Sequence, residues 1–476
     1  MPCKTMFDAL QFFALRLTTA HKPKSEISLA ERRSRPSQRN APRKQAVEAP
    51  DPRMLALKTL QELRGGEVTL DELLSKHGYG LPSLDRNFLR QLLGTTLRHL
   101  GEIDAVLAPR YQPPQDRVAA RLTNIMRLGV AQLFFMDTTD YGAVDSTVNL
   151  TRDAGLHKYV KLVNAVLRGL QRDGFEWPEG VEDWQLNIPA WLRGSWKKAY
   201  GAEIAQGIAE ASLGHAMLDL SIKDRTQSAE WAEKMDGIVL PTGSVRLEPG
   251  RRIRDLPGYK DGDWWVQDAA AAIPATLFSA YKDKTIYDLC AAPGGKTMQL
   301  ASHGASAIAV DKSEGRLKRV FENLERVSLG AAVVTGDATD LAPDTPRADA
   351  VLLDAPCSAT GTIRRHPDIL LRQNDKLMRS LLPIQTKLLN QADKLLNVGG
   401  ELIYCTCSLQ PEEGEHQVKS FLADHPNYER KAITADELGG WDEAINDAGE
   451  LRILPIHMAD FGGMDGFFCA RLVKKS

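Results

Sequence analysis

The chain has few cysteines and no long apolar run. Six cysteines in 476 residues cannot staple a small secreted fold, and they suit reduced thiols in a cytoplasmic protein. No apolar stretch approaches the ~18–20 residues of a membrane span. Residues 7–17 are mildly apolar but short, and Arg16 interrupts them, so they are not read as a signal peptide. Neither sign of charge dominates: 60 Lys and Arg face 62 Asp and Glu, for a net charge of −2. Any surface for nucleic acid must therefore be local. There is no Cys-x-x-Cys pair, which argues against zinc, and no metal is expected. There is no Gly-x-Gly-x-x-Gly, and the Gly-Lys-Thr at residues 295–297 lacks the first glycine of a P-loop, so neither a dinucleotide nor a nucleoside triphosphate is indicated.

This length predicts more than one domain. Residues 1–50 form a tail that is basic from position 21 onward, poor in large apolar side chains there, and unable to build a core. Residues 51–175 show apolar positions at helical spacing, as in Leu122, Ile125, Met126, Leu128, Val130 and Leu133, and predict an all-α bundle. Residues 176–263 carry most of the tryptophans and short mixed patterns, and predict a small α+β connector. From 264 to 476 strands and helices alternate. That pattern predicts an α/β Rossmann-like domain with a parallel sheet and helices on both faces.

The chemistry lies in three stretches of this last domain. Residues 288–297 read Asp-Leu-Cys-Ala-Ala-Pro-Gly-Gly-Lys-Thr, a glycine turn after a strand. Asp311, Asp337 and Asp354 each fall at or just past a predicted strand end, where open α/β sheets bind ligands. A carboxylate about 20 residues past the glycines suits ribose hydroxyls, and a nucleoside without a phosphate chain, S-adenosyl-L-methionine, fits best. Cys357, three residues after Asp354, and Cys407, in Thr-Cys-Ser, each follow a buried strand. A thiol beside an acid suits covalent activation of cytosine, whose carbon 5 is a poor nucleophile until a thiolate adds at carbon 6. Spacing alone does not say which cysteine attacks. Arg364, Arg365 and His366 follow Cys357 on a loop and are expected to contact RNA phosphates.

These stretches, with residues 404–412 and the ending Asp465-Gly466-Phe467-Phe468, closely resemble the RNA 5-methylcytosine methyltransferases of the RsmB/Nop2/Sun group. Val163-Asn164-Ala165-Val166-Leu167-Arg168 and the helix through Leu128-Gly129 resemble a NusB-type RNA-binding domain, which marks the RsmB (Sun) branch. The resemblance spans about residues 52–476. It implies a class I methyltransferase acting on a cytosine of small-subunit 16S rRNA. It also implies Cys407 as the attacking thiol and Cys357 as the aid to product release; Asp354, three residues before Cys357, is placed to be the acid at ring nitrogen 3. The cofactor contacts it implies are Cys290, Ala291, Ala292, Pro293, Gly294, Gly295, Lys296, Asp311, Asp337 and Asp354. Cys405, two residues before Cys407, is an extra thiol on the same strand face. A monomer with an rRNA substrate is expected. A tRNA substrate, or a non-catalytic NusB-like RNA-binding factor, are the competing readings.

Overall fold

This computed structural model describes residues 50–63, 68–174 and 180–475. All of the expected tail but its last residue lies outside this range.

The N-terminal bundle consists of α1 (Pro52–Leu63), α2 (Leu70–His77), α3 (Ser83–Arg98), α4 (Leu100–Leu107), α5 (Ala119–Phe134), α6 (Asp140–Asp153) and α7 (Val160–Asp173). Thr69 and Glu72 cap α2 reciprocally, satisfying two N–H groups that a helix start leaves free. On α7, Val163, Val166, Leu167 and Leu170 recur at 3.6-residue spacing, and all four are buried. Helix α5 lies at the centre, with Ile125, Met126 and Leu128 fully enclosed. At Gly129 a Cβ would come within 2.9 Å of both Leu167 and Thr147, so glycine is what lets α5, α6 and α7 approach closely.

Next come α8 (Asp183–Asn187), α9 (Ala190–Tyr200) and α10 (Ala202–Leu213), then a four-stranded antiparallel sheet in the order β2-β3-β1-β4. Its strands are β1 (Leu218–Ile222), β2 (Ile238–Val239), β3 (Val245–Leu247) and β4 (Trp264–Val266), with α11 (Ser228–Lys234) inserted. The fourth strand comes from residues expected to open the catalytic domain. Trp264 and Trp231 fill this small core together with Leu220 and Val245.

The C-terminal sheet contains β5 (Thr285–Leu289), β6 (Ser306–Asp311), β7 (Ala332–Thr335), β8 (Ala348–Asp354), β9 (Leu396–Thr406), β10 (Tyr428–Arg430), β11 (Leu451–Ile453) and β12 (Phe467–Lys474). Its order is β10-β12-β9-β8-β5-β6-β7, with β11 paired to β12. Strands β5 to β9 are parallel, whereas β12 runs antiparallel to β9. The sheet is therefore mixed, not wholly parallel as expected. Chain order reverses beside β5, because β6 and β7 lie on one side and β8 and β9 on the other. A crevice opens there at the carboxyl ends of the strands. Helices α12 (Ala269–Ala272), α13 (Gly295–Ser302), α14 (Glu314–Arg326), α15 (Ile369–Arg372), α16 (Asp375–Leu395) and α17 (Glu415–Asp424) complete the domain.

Candidate active site

The turn after β5 carries the first set of predicted residues. Cys290 adopts a left-handed backbone, φ 63°, and Gly294 another, φ 101°. Burial pushes the Cys290 thiol up to about 12. At Gly294 a Cβ would sit 3.0 Å from Val320 of α14, so the turn packs tightly on that helix. No side chain caps the start of α13, and its first N–H groups are open to an acceptor on a ligand. Asp311 ends β6 with its carboxylate almost enclosed. It accepts the Ala292 N–H at 3.3 Å and the Ser313 N–H at 3.0 Å. Asp337 is exposed two residues past β7 and accepts from the N–H and hydroxyl of Thr339. Those bonds hold its carboxyl below the usual range.

Asp288 lies under the turn, fully buried. One of its oxygens accepts from Thr297 at 2.5 Å and the other has no partner. Burial pushes its carboxyl up to about 7. The uncapped helix start, this orphaned oxygen and the Asp311 carboxylate suit a ligand with polar groups of both kinds, as the amino-acid and ribose parts of S-adenosylmethionine are.

Asp354 ends β8 and accepts from the Lys296 ammonium at 2.8 Å. Burial opposes the charge on Lys296, but the attraction of Asp354 outweighs it and raises the pKa. The buried Cys405 thiol lies 3.8 Å from the other Asp354 oxygen. A cleft of about 560 Å³ is lined by Asp354, Lys296, Cys407, His366, Phe467 and Tyr259, among others. It reaches the cofactor turn at Pro293 and Gly295.

The two thiols follow β8 and β9, which pair in parallel with Asp354 opposite Cys405. The Cys357 and Cys407 sulfurs are 3.5 Å apart, and both are free. Cys407 lines the cleft and Cys357 does not. The hydrogen bond with Cys407, then burial, push the Cys357 thiol well above its ordinary value.

Glu413, buried and one residue past the motif read at 404–412, ties the two thiol loops together. It accepts the Ser358 N–H at 2.9 Å, the Ser358 hydroxyl at 2.5 Å and the Ser408 hydroxyl at 2.6 Å. Gln385 of α16 adds a fourth bond at 3.0 Å. The only cue to it in the sequence was an acid pair after Pro411.

Arg364 and Arg365 require a correction, because both guanidinium groups turn inward. Arg364 donates to Asp465 at 2.8 Å and lies 3.4 Å from Asp268. Arg365 donates to Asp465 at 2.9 Å, to Asp268 at 2.5 Å and to the Met217 carbonyl at 3.1 Å. Asp219 and Arg246, joined by a two-pronged pair at 2.6 and 2.7 Å, complete the cluster. These arginines join the connector sheet to the catalytic domain and are not the surface phosphate contacts expected of them. Burial opposes the charge on Asp268, yet Arg365 and then Arg364 outweigh it and hold the carboxyl near about 2. His366 is the most exposed of the three and lies 3.4 Å from Asp71 of α2. Among the described residues no group of three or more His, Cys, Asp or Glu is arranged to hold a metal, and no helix is long and apolar enough to cross a membrane.

A mixed sheet of this order, with a glycine turn and acids at its carboxyl edge, defines an α/β methyltransferase, here carrying a helical bundle in front. Two family models match: 16S rRNA methyltransferase RsmB/F over residues 275–473 and the NusB family over residues 50–172. The ribosomal RNA small subunit methyltransferase B of Pseudomonas putida is 33% identical over 89% of this chain and 98% of its own length. That of Xylella fastidiosa (strain 9a5c) is 34% identical over 83% and 94%. Among solved structures, PH0851 superposes with a TM-score of 0.70 at 22% identity, covering 88% of this chain and 99% of its own. NSun6 from Pyrococcus horikoshii, crystallised with SFG, gives 0.53 at 20% identity over 60% and 98%. The chain belongs to the RsmB/F family of 16S rRNA methyltransferases and carries a NusB-family domain.

Proposed function

We propose that the chain methylates carbon 5 of a cytosine in 16S rRNA through a covalent cysteine adduct. The observation that carries this reading is Cys407 on a cleft shared with Asp354 and Lys296, with the Cys357 sulfur 3.5 Å behind it. The Cys407 thiolate forms a carbon–sulfur bond at carbon 6 of the ring. The electron pair moves toward ring nitrogen 3, where the Lys296–Asp354 pair supplies a proton. Carbon 5 is then electron-rich. S-adenosylmethionine supplies an electrophilic methyl group when bound by residues 290–296 with Asp311, Asp337 and Asp354. Water takes the carbon-5 proton, the C–H electron pair restores the ring double bond, the carbon–sulfur bond breaks, and Cys407 leaves as a thiolate that the Cys357 thiol, 3.5 Å away, stabilises as hydrogen-bond donor. Nitrogen 3 returns its proton to Asp354. The reaction takes place on rRNA in the cytoplasm, with the protein as a monomer.

A denaturing gel with labelled RNA and cofactor tests the division of labour. Cys357→Ala should accumulate a shifted protein–RNA band, and Cys407→Ala should give neither band nor 5-methylcytosine. A band from Cys407→Ala alone would swap the two roles.

A further inference from the structure

A second groove, of about 400 Å³, opens between helix α3 and the loop that follows Cys357. Arg90, Gly94, Arg98, His215 and His366 line it, with Asp71 as the one carboxylate. The first three lie four residues apart, and so on one face of α3.

Arg98 is only 9% exposed. Its Nη2 donates to the Arg364 carbonyl at 3.1 Å, while its buried Nε has no partner. The ion pairs among the described residues give no carboxylate to Arg98 or Arg90. The other two guanidinium groups in the wall, Arg364 and Arg365, are neutralised by Asp268 and Asp465. Asp71 is taken by His366. An uncompensated, nearly buried guanidinium is costly unless an anion completes it. Its field reaches His215, whose pKa is lowered first by burial and then by Arg98 and His99.

Gly94 is the second, independent sign. A glycine inside a helix costs about 1 kcal/mol relative to alanine, so it usually marks close packing. Here a Cβ would meet no atom within 4 Å. No packing explains the missing side chain; its effect is to leave the floor of the groove open between two arginines.

The groove also leads to the chemistry. His366 lines both it and the cleft of Cys407. The loop that Arg98 touches at residue 364 is pinned to Cys407 three residues earlier, where the Gly361 N–H donates to the Cys407 carbonyl at 3.0 Å.

We infer that Arg90, Arg98 and His215 form a phosphodiester-binding site on the bundle side, which holds the RNA strand next to the target cytosine. The site rests on the reading of the chain as an RNA methyltransferase. It places the phosphate contacts of the substrate on α3, in place of the inward-turned Arg364 and Arg365.

The test is filter binding of a 16S rRNA fragment to the full chain over a range of salt. Each lost phosphate contact should reduce the log–log salt slope by about one. Arg90→Ala and Arg98→Gln should each show this, with a raised KM for RNA and an unchanged kcat. Arg98→Gln can fail to fold, so Gly94→Leu is the second probe. It improves helix propensity and should keep or raise Tm, while obstructing the groove and weakening RNA binding about tenfold. Unchanged slopes in Arg90→Ala, with undiminished affinity in Gly94→Leu, would overturn the site. A wild-type protein that shows the slope but forms no 5-methylcytosine would sink the proposed chemistry and leave this site standing.

Discussion

At the residue scale, Glu413 is the buried charge on which the two thiol loops depend. Four hydrogen bonds from Ser358, Ser408 and Gln385 converge on it. Bonds to a charged acceptor contribute about 1.5–3 kcal/mol each. Glu413→Gln keeps the shape but loses the charge and one acceptor. It should lower stability by about 1–3 kcal/mol and reduce kcat with little change in KM for RNA or cofactor. An unchanged kcat in the folded variant would reduce Glu413 to a packing role. Asp288 gives the pH-dependent case. Its folded pKa of about 7 lies above the ordinary unfolded carboxyl value of about 3.9. Its contribution is therefore complete below about pH 4 and is lost as pH rises through 7, by about 4 kcal/mol at most. Asp288→Asn should raise the unfolding midpoint of the cofactor-free protein at pH 8 and change it little at pH 4. A gain independent of pH, followed by thermal melts, would refute this. The sequence marked Asp288 only as the head of the glycine turn, because burial is a property of the packed sheet.

At the scale of elements, the helices and long strands were legible, and three short strands were not. Among the helices that the alternating pattern predicted, α14 and α16 run Glu314–Arg326 and Asp375–Leu395. Their length gives the apolar period several turns in which to register. Strands β4, β10 and β11 have three residues each, too few for a period-2 pattern to stand out. The partners of β4 and β10, which are β1 and β12, lie 42 to 46 residues away in the chain. The tryptophan-rich stretch read as a connector has a use that composition could not show. Trp196 on α9 is completely buried beside Ile363 and Leu409, which follow the two thiols. Tyr200 of the same helix donates to the Leu409 carbonyl at 2.5 Å, and Ser195 bonds Gln410 at 2.8 Å. Trp196→Ala should cost about 3–5 kcal/mol and loosen both loops. In urea titrations the midpoint should fall. Below that midpoint, modification of Cys407 by a thiol reagent should quicken. Unaltered thiol reactivity in that range would separate α9 from the site.

At the scale of the whole molecule, the connector sheet and the catalytic domain are fastened by charge. Asp219 and Arg246 belong to the small sheet, Asp268 and Asp465 precede α12 and β12, and Arg364 and Arg365 lie on the loop after Cys357. Three guanidinium groups and three carboxylates thus share one interior. Two adjacent arginines beside a catalytic cysteine read as phosphate contacts because a sequence shows charge but not its partner. Their acids lie about 100 residues away on either side. Removing one member of such a cluster leaves the others charged and unmatched, which typically costs 3–5 kcal/mol. Arg364→Ala leaves Asp465 and Asp268 to share Arg365, so it should lower stability by about that amount. Screening by salt is weak for buried pairs, so added salt should not restore it. The salt slope of RNA binding should stay at the wild-type value, because Arg364 presents no guanidinium to solvent. Urea unfolding at two ionic strengths, alongside filter binding, reads both. A reduced slope with intact stability would return Arg364 to the RNA surface and would require the Asp268–Asp465 cluster to open when RNA binds.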